Sequence, residues 1–169
     1  PTGRGKEIES DELLPEEYEK VLNWLYDIKD KVSLHIRTTC APHYFRVLYQ
    51  RNKERKVIPK YEGEGFRALT KGCLAGTGFC FISYKGEVNP CGYLPLKAGN
   101  VRELSFKEIW FNSELFNNLR DINKLKGKCG LCEYRWVCGG CRARAYSQRN
   151  DYLEEEPYCI YQPKKLAFA

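Results

Sequence analysis

Eight of the nine cysteines in this chain lie after residue 72, at Cys73, Cys80, Cys91, Cys129, Cys132, Cys138, Cys141 and Cys159. That crowding limits what the second half can fold into, because thiols so dense must pair with one another, bind zinc, or hold an iron–sulfur group. Disulfides fit poorly. An odd count leaves one thiol over, no apolar signal segment opens the chain, and no apolar run approaches the roughly 18 residues of a membrane span. These features predict a cytoplasmic chain without a membrane partner, in a compartment whose reducing pool keeps thiols free. With 169 residues, 43% of them hydrophobic, the chain can bury a core without covalent staples. It begins at Pro1 and contains no methionine, which we read as a piece of a longer protein.

In "CGLCEYRWVCGGC", Cys129, Cys132, Cys138 and Cys141 fall within thirteen residues. Each CxxC can turn two sulfurs toward one metal while backbone amides donate to the thiolates. Zinc ribbons, however, separate two such pairs by roughly 15 to 20 residues, and here only five intervene. Eight thiolates are the number that two fully ligated 4Fe-4S clusters require. Cys40 is then the surplus thiol. The net charge of +6 places Lys126, Lys128, Arg135, Arg142, Arg144 and Arg149 among the later cysteines, a basic belt suited to an anionic cluster, a polycarboxylate or nucleic acid.

Periodicity supplies the frame. Tyr18, Val21, Leu22, Leu25 and Ile28 recur at helical spacing, with Pro15 in the first turn, predicting a helix from Pro15 to about Lys31. "VSLHIRT" alternates and predicts a strand, with Val32, Leu34 and Ile36 on one face and His35 and Arg37 on the other. "APHYFRVLYQR" predicts a second helix, and "NKERKVIPKYEGEG" a charged connection that puts a domain boundary near residue 70. A two-residue turn at Lys85-Gly86 would place Cys80 opposite Cys91 across a hairpin. Ser105 and Glu108 form a capping box ahead of Ile109 and Trp110, and the apolar face resumes at Leu115, Phe116, Leu119 and Ile122 after a break near Asn112 and Ser113.

The order Cys73, twelve residues, Gly86, four residues, Cys91, then Cys129-x2-Cys132-x5-Cys138-x2-Cys141 and Cys159 resembles the SPASM extension of radical S-adenosylmethionine enzymes, over roughly residues 70–162. The resemblance implies an α+β fold: the end of a partial (β/α) radical SAM barrel with its linker over residues 1–70, then an auxiliary iron–sulfur domain over 71–169 with a β-hairpin, helices and cysteine-rich loops. It implies two 4Fe-4S clusters, the first on Cys73, Cys80, Cys91 and Cys141, the second on Cys129, Cys132, Cys138 and Cys159. Spacing alone does not choose this crossed assignment over four sequential ligands each. The family usually has three residues between the last two central cysteines where this chain has Gly139 and Gly140, so the cluster served by Cys141 stays open.

"PTGRGKEI", "TTCAPHY", "GCLAGTGFCFIS" and "CGGCRARAY" together resemble the radical enzymes of alternative haem and haem d1 biosynthesis, nearest in wording to the step that removes acetate side chains from a sirohaem-derived tetrapyrrole. Such enzymes bind S-adenosylmethionine at a third cluster held by CxxxCxxC and release a 5'-deoxyadenosyl radical. No CxxxCxxC occurs here, so the chain is expected to dock a tetrapyrrole and pass electrons to or from an external partner, not to start radical chemistry. His35 and Arg37 are candidate substrate-binding residues, and Cys40 and His43 candidate catalytic ones. Two alternatives stand beside this reading: a peptide-modifying maturase of the same family, and a zinc-stabilised nucleic-acid module using the same cysteines and basic residues.

Overall fold

The computed structural model describes Glu7 and residues 10–34, 36–55 and 71–164. Helix α1 spans Pro15–Ile28 and α2 spans His43–Glu54. Pro15 opens α1, and the Glu17 carboxylate accepts from the Leu14 N–H at 3.1 Å, so the first turn is capped as its sequence predicts. The two helices pack through Leu22, Tyr26, Ala41, Tyr44 and Val47, flanked by Tyr18, Leu25 and Leu48. The stripe is rotated from the predicted one, since Tyr26 is buried and Val21 faces out. Polar contacts tie the pair: Arg51 meets Asp27 at 2.6 Å, the Tyr26 hydroxyl donates to Asn52 at 2.9 Å, and buried Arg46 is paired with Glu19.

The predicted strand at 32–37 does not form. Its described residues are turns and bends or lack regular structure, and Leu34 is 75% exposed. Alternation marks which face a strand would bury, but a strand exists only where another backbone takes up its N–H and C=O groups. Among the described residues none does, and no barrel strand is present among them. His35 and the expected boundary near residue 70 lie outside the described residues.

The cysteine-rich half begins with a three-stranded antiparallel sheet of β1 (Phe81–Ile82), β2 (Glu87–Asn89) and β3 (Gly99–Asn100), in the order β1-β2-β3. Phe81 pairs with Asn89 and Ile82 with Val88. The predicted register, with Cys80 opposite Cys91, is therefore off by one residue. The cause is the turn: Gly86 N–H donates to Ser83 O at 2.8 Å, the Ser83 hydroxyl accepts from Lys85 and Glu87, and Gly86 adopts φ 84°. That is a three-residue loop closed by a left-handed glycine. A Cβ on Gly86 would lie 2.5 Å from the Asn100 Oδ1, whose amide Nδ2 donates to Lys85 O, so only glycine fits.

Helices α3 (Phe106–Asn112) and α4 (Glu114–Arg120) cover this sheet. The capping box is present, with the Glu108 N–H donating to the Ser105 hydroxyl at 3.2 Å and the Ser105 N–H to the Glu108 carboxylate at 3.0 Å. Ser113 is extended and breaks the two helices apart where the sequence predicts. Val88, Ile109, Phe116 and Leu119 form the core, with Cys80, Trp110 and Leu115 against it. Burying each such side chain contributes about 1.5–3 kcal/mol. A 3-10 turn at Ile122–Lys124 leads into α5 (Gly127–Leu131), and α6 spans Arg142–Arg149. No described helix is long and apolar enough to cross a membrane.

Candidate metal centre

All nine cysteines are free thiols. All but Cys80 sort into two cavities by position. Cys129 sits in α5 and Cys132 caps it; the turn after α5 delivers Cys138, and the C-terminal segment returns Cys159. These four line what is, in the chain order of the cysteines, the second cavity, together with Arg46, Lys128, Arg135, Gly140 and Tyr161. Its sulfurs accept hydrogen bonds of the kind that hold a thiolate: Tyr134 N–H to Cys132 at 3.4 Å, Gly140 N–H to Cys138 at 3.4 Å and Glu156 N–H to Cys129 at 3.3 Å, with the Arg142 guanidinium 3.8 Å from Cys129. Lys128 and Arg46 place positive charge beside Cys159, and Lys128 Nζ donates to its carbonyl.

The first cavity, of about 570 Å³, is lined by Cys73, Cys91, Cys141 and Cys40, with Leu74, Phe79, Phe81 and Tyr93 as apolar walls. Cys141 thus stands with Cys73, across from its sequence neighbour Cys138. The device is Gly139-Gly140, at φ 69° and 64°, which reverses the chain between the two cysteines. Gly140 is boxed in, since a Cβ there would lie 2.5 Å from Arg142 and 3.2 Å from the Cys129 sulfur. Glu156, fully buried, accepts from the Cys141 N–H at 2.6 Å and from Arg144 at 2.8 Å, fixing the start of α6. Burial works against the Arg144 charge, but Glu156 outweighs it and holds the guanidinium above its usual range.

Desolvation raises the thiols: Cys132 and Cys141 to about 11, Cys138 still further. Backbone N–H donors oppose this at Cys132 and Cys138, and Arg144 opposes it at Cys141, without cancelling it. Free thiols so placed stay protonated at neutral pH and are poor nucleophiles. A positively charged inorganic centre would remove their protons on binding. Among the described residues, no three His, Cys, Asp or Glu side chains converge where one metal ion could sit. Single zinc would need sulfurs on the order of 3.8 Å apart, from its Zn–S distance of about 2.3 Å.

Of the other predicted site residues, only Cys40 lies with the cavity cysteines. Cys80 packs into the sheet core, Arg37 is exposed, and Cys40 is exposed with φ 55°. His43 is fully buried in the first turn of α2, stacked 4.8 Å from Tyr18, and neither ring nitrogen has a hydrogen-bond partner. Burial pushes it down to about 4, so it is a neutral core residue here. Glu156 and Arg46 escaped sequence reasoning, since each acts through a partner far along the chain, while Arg144 was read only as part of a basic belt and Gly140 only as part of a shortened spacer.

Residues 73–141 match the SPASM family model, described as an iron–sulfur cluster-binding domain. Those residues of the chain are a SPASM domain. Cys159, beyond the matched residues, is brought to Cys129, Cys132 and Cys138 by the fold. Over 165 residues the chain is 56% identical to the AdoMet-dependent heme synthase of Methanosarcina barkeri, covering 98% of this SPASM chain and 47% of that protein. It is 51% identical over 166 residues to the AdoMet-dependent heme synthase of Nitratidesulfovibrio vulgaris, covering 98% and 45%. The pre-heme d1 synthase of Dinoroseobacter shibae is 35% identical over 92 residues, covering 52% and 23%. The SPASM chain spans about half the length of the heme synthases it matches.

Proposed function

We propose that this chain is the auxiliary-cluster part of a cytoplasmic radical S-adenosylmethionine enzyme that forms haem from a tetrapyrrole precursor. The observation that carries the reading is the partition of the thiols into two cavities within a chain 56% identical to an AdoMet-dependent heme synthase. The names of the two heme synthases favour a haem-forming step over the acetate-removing step expected from sequence wording. Cys129, Cys132, Cys138 and Cys159 would hold one 4Fe-4S cluster, and Cys73, Cys91 and Cys141 would hold the other with one further thiol. Bound clusters would supply one-electron transfer to or from an external carrier.

The chain's own residues do the rest. N–H donors and Arg142 stabilise the thiolates at the second cavity, and the surrounding basic side chains offset its charge. Phe79, Phe81 and Tyr93 offer flat apolar walls to a macrocycle beside the first cavity. Arg37, exposed nearby in sequence, is a candidate for a substrate carboxylate, as is His35. The radical SAM core and the S-adenosylmethionine site, with the end of its barrel reaching into residues 1–70, would be supplied upstream of the SPASM part.

The test is iron and acid-labile sulfide analysis of the full-length protein prepared without oxygen, with and without Cys129→Ala/Cys132→Ala, alongside a haem-formation assay. About four irons lost with the double variant supports the reading. Zinc near stoichiometry in place of iron, or no haem formed from any tetrapyrrole precursor, overturns it.

A further inference from the structure

We propose that Cys40, and not the hairpin residue Cys80, supplies the fourth thiolate of the first cavity, making the connection between α1 and α2 a ligand-bearing loop. The proposal rests on reading that cavity as an iron–sulfur site. Position comes first: Cys40 lines the cavity with Cys73, Cys91 and Cys141, and Cys80 does not.

Register explains why. The β1–β2 pairing, continued outward, sets Phe79 level with Cys91 and Cys80 level with Pro90. Side chains alternate faces along a strand, so a one-residue shift exchanges them. Phe79 and Phe81 accordingly line the cavity beside Cys91, while Cys80 turns to the other face and packs against the Val88, Ile109 and Phe116 core. A thiol committed to that apolar core cannot also reach the cavity without breaking the sheet.

The Cys40 loop carries marks of a constrained position. Cys40 has φ 55°, a left-handed conformation uncommon for a residue with a Cβ and found where surrounding structure imposes it. The loop is seated against the Gly72–Cys73 segment, since a Cβ on Gly72 would lie 2.6 Å from the Pro42 Cβ. Cys40 is also exposed, unlike a thiol retained for packing. On loading, the Cys40 S–H proton passes to solvent as an S–Fe bond forms, with no change of oxidation state.

The test uses the full-length protein prepared without oxygen, as Cys40→Ala, Cys80→Ala and Cys73→Ala/Cys91→Ala variants, read by iron content and by electron paramagnetic resonance of the reduced clusters. Cys40→Ala is expected to lose up to about four irons per chain or to change the signal of one auxiliary cluster; Cys80→Ala should keep wild-type iron and signal. An unchanged Cys40→Ala, or a Cys80→Ala that loses the signal, overturns the proposal. If the double variant keeps all its iron, the cavity is no cluster site and the underlying reading falls with it. Thiol alkylation of the wild-type protein gives an independent readout: Cys40 should be protected while iron is present and modified after chelation, and modification at full rate in loaded protein overturns the proposal.

Discussion

The α1–α2 pair and the segments carrying Cys129 to Cys159 are held together in different ways. The helix pair interlocks apolar side chains and clamps them with Arg46–Glu19 and Arg51–Asp27. The cysteine segments have short helices, two successive left-handed glycines, and sulfurs where a core would otherwise be. One region folds on side-chain packing; the other has thiol-lined space at its centre, which on the proposed reading an inorganic group would fill. On the proposed reading function would follow the second, because redox chemistry needs polar sulfur at a site that packing would have filled with hydrocarbon.

Four experiments break or sharpen that contrast. The largest effect is expected from iron removal, since structural metal centres contribute on the order of 10 kcal/mol to small folds. Chelation should deprotect amides of residues 125–141 and 151–164 in hydrogen exchange while α1 and α2 keep their protection; equal loss in both would erase the distinction. Phe116→Ala, at a fully buried position of the sheet core, should cost about 3–5 kcal/mol in denaturant unfolding. An effect below about 1 kcal/mol would mean that the sheet, too, leans on the clusters.

His43 sharpens the other side. Its folded pKa of about 4 lies below the ordinary 6.5, so the fold favours the neutral ring. Its stability contribution is complete above pH 6.5 and is lost as pH falls from 6.5 toward 4, by roughly 3 kcal/mol at most. The stability difference between wild type and His43→Phe should change across that window and stay level from pH 7 to 8; a flat difference throughout would show that the ring is solvated. Ser105→Ala should have the smallest effect, about 1 kcal/mol from the lost cap, read as a modest drop in melting temperature.

Local signals carried the sequence reading well. Pro15, the Ser105–Glu108 box and the Ser113 break are each decided within a turn or two, and the structure has all three. The cysteine order pointed to the SPASM match, because ligand spacing survives where packing details vary. Failures came where a partner far away decides. The strand at 32–37 lacks a neighbour among the described residues, and the hairpin register turned on one left-handed glycine and the Ser83 hydroxyl. Nothing in the sequence singled out Glu156 from its neighbours Glu154 and Glu155, yet it is buried, held by Arg144 and the Cys141 amide.

Gly139 and Gly140 also make the two centres mechanical neighbours. Three residue steps separate the Cys138 and Cys141 α-carbons, so they stand no more than about 11 Å apart whatever the rest of the chain does. With clusters in both cavities, assembly at one would preset the other, and electrons crossing between them would have a covalent bridge at hand. Lengthening that bridge by one inserted glycine should loosen both loadings together, and iron titration that still fills the two centres independently would show the tether to be idle.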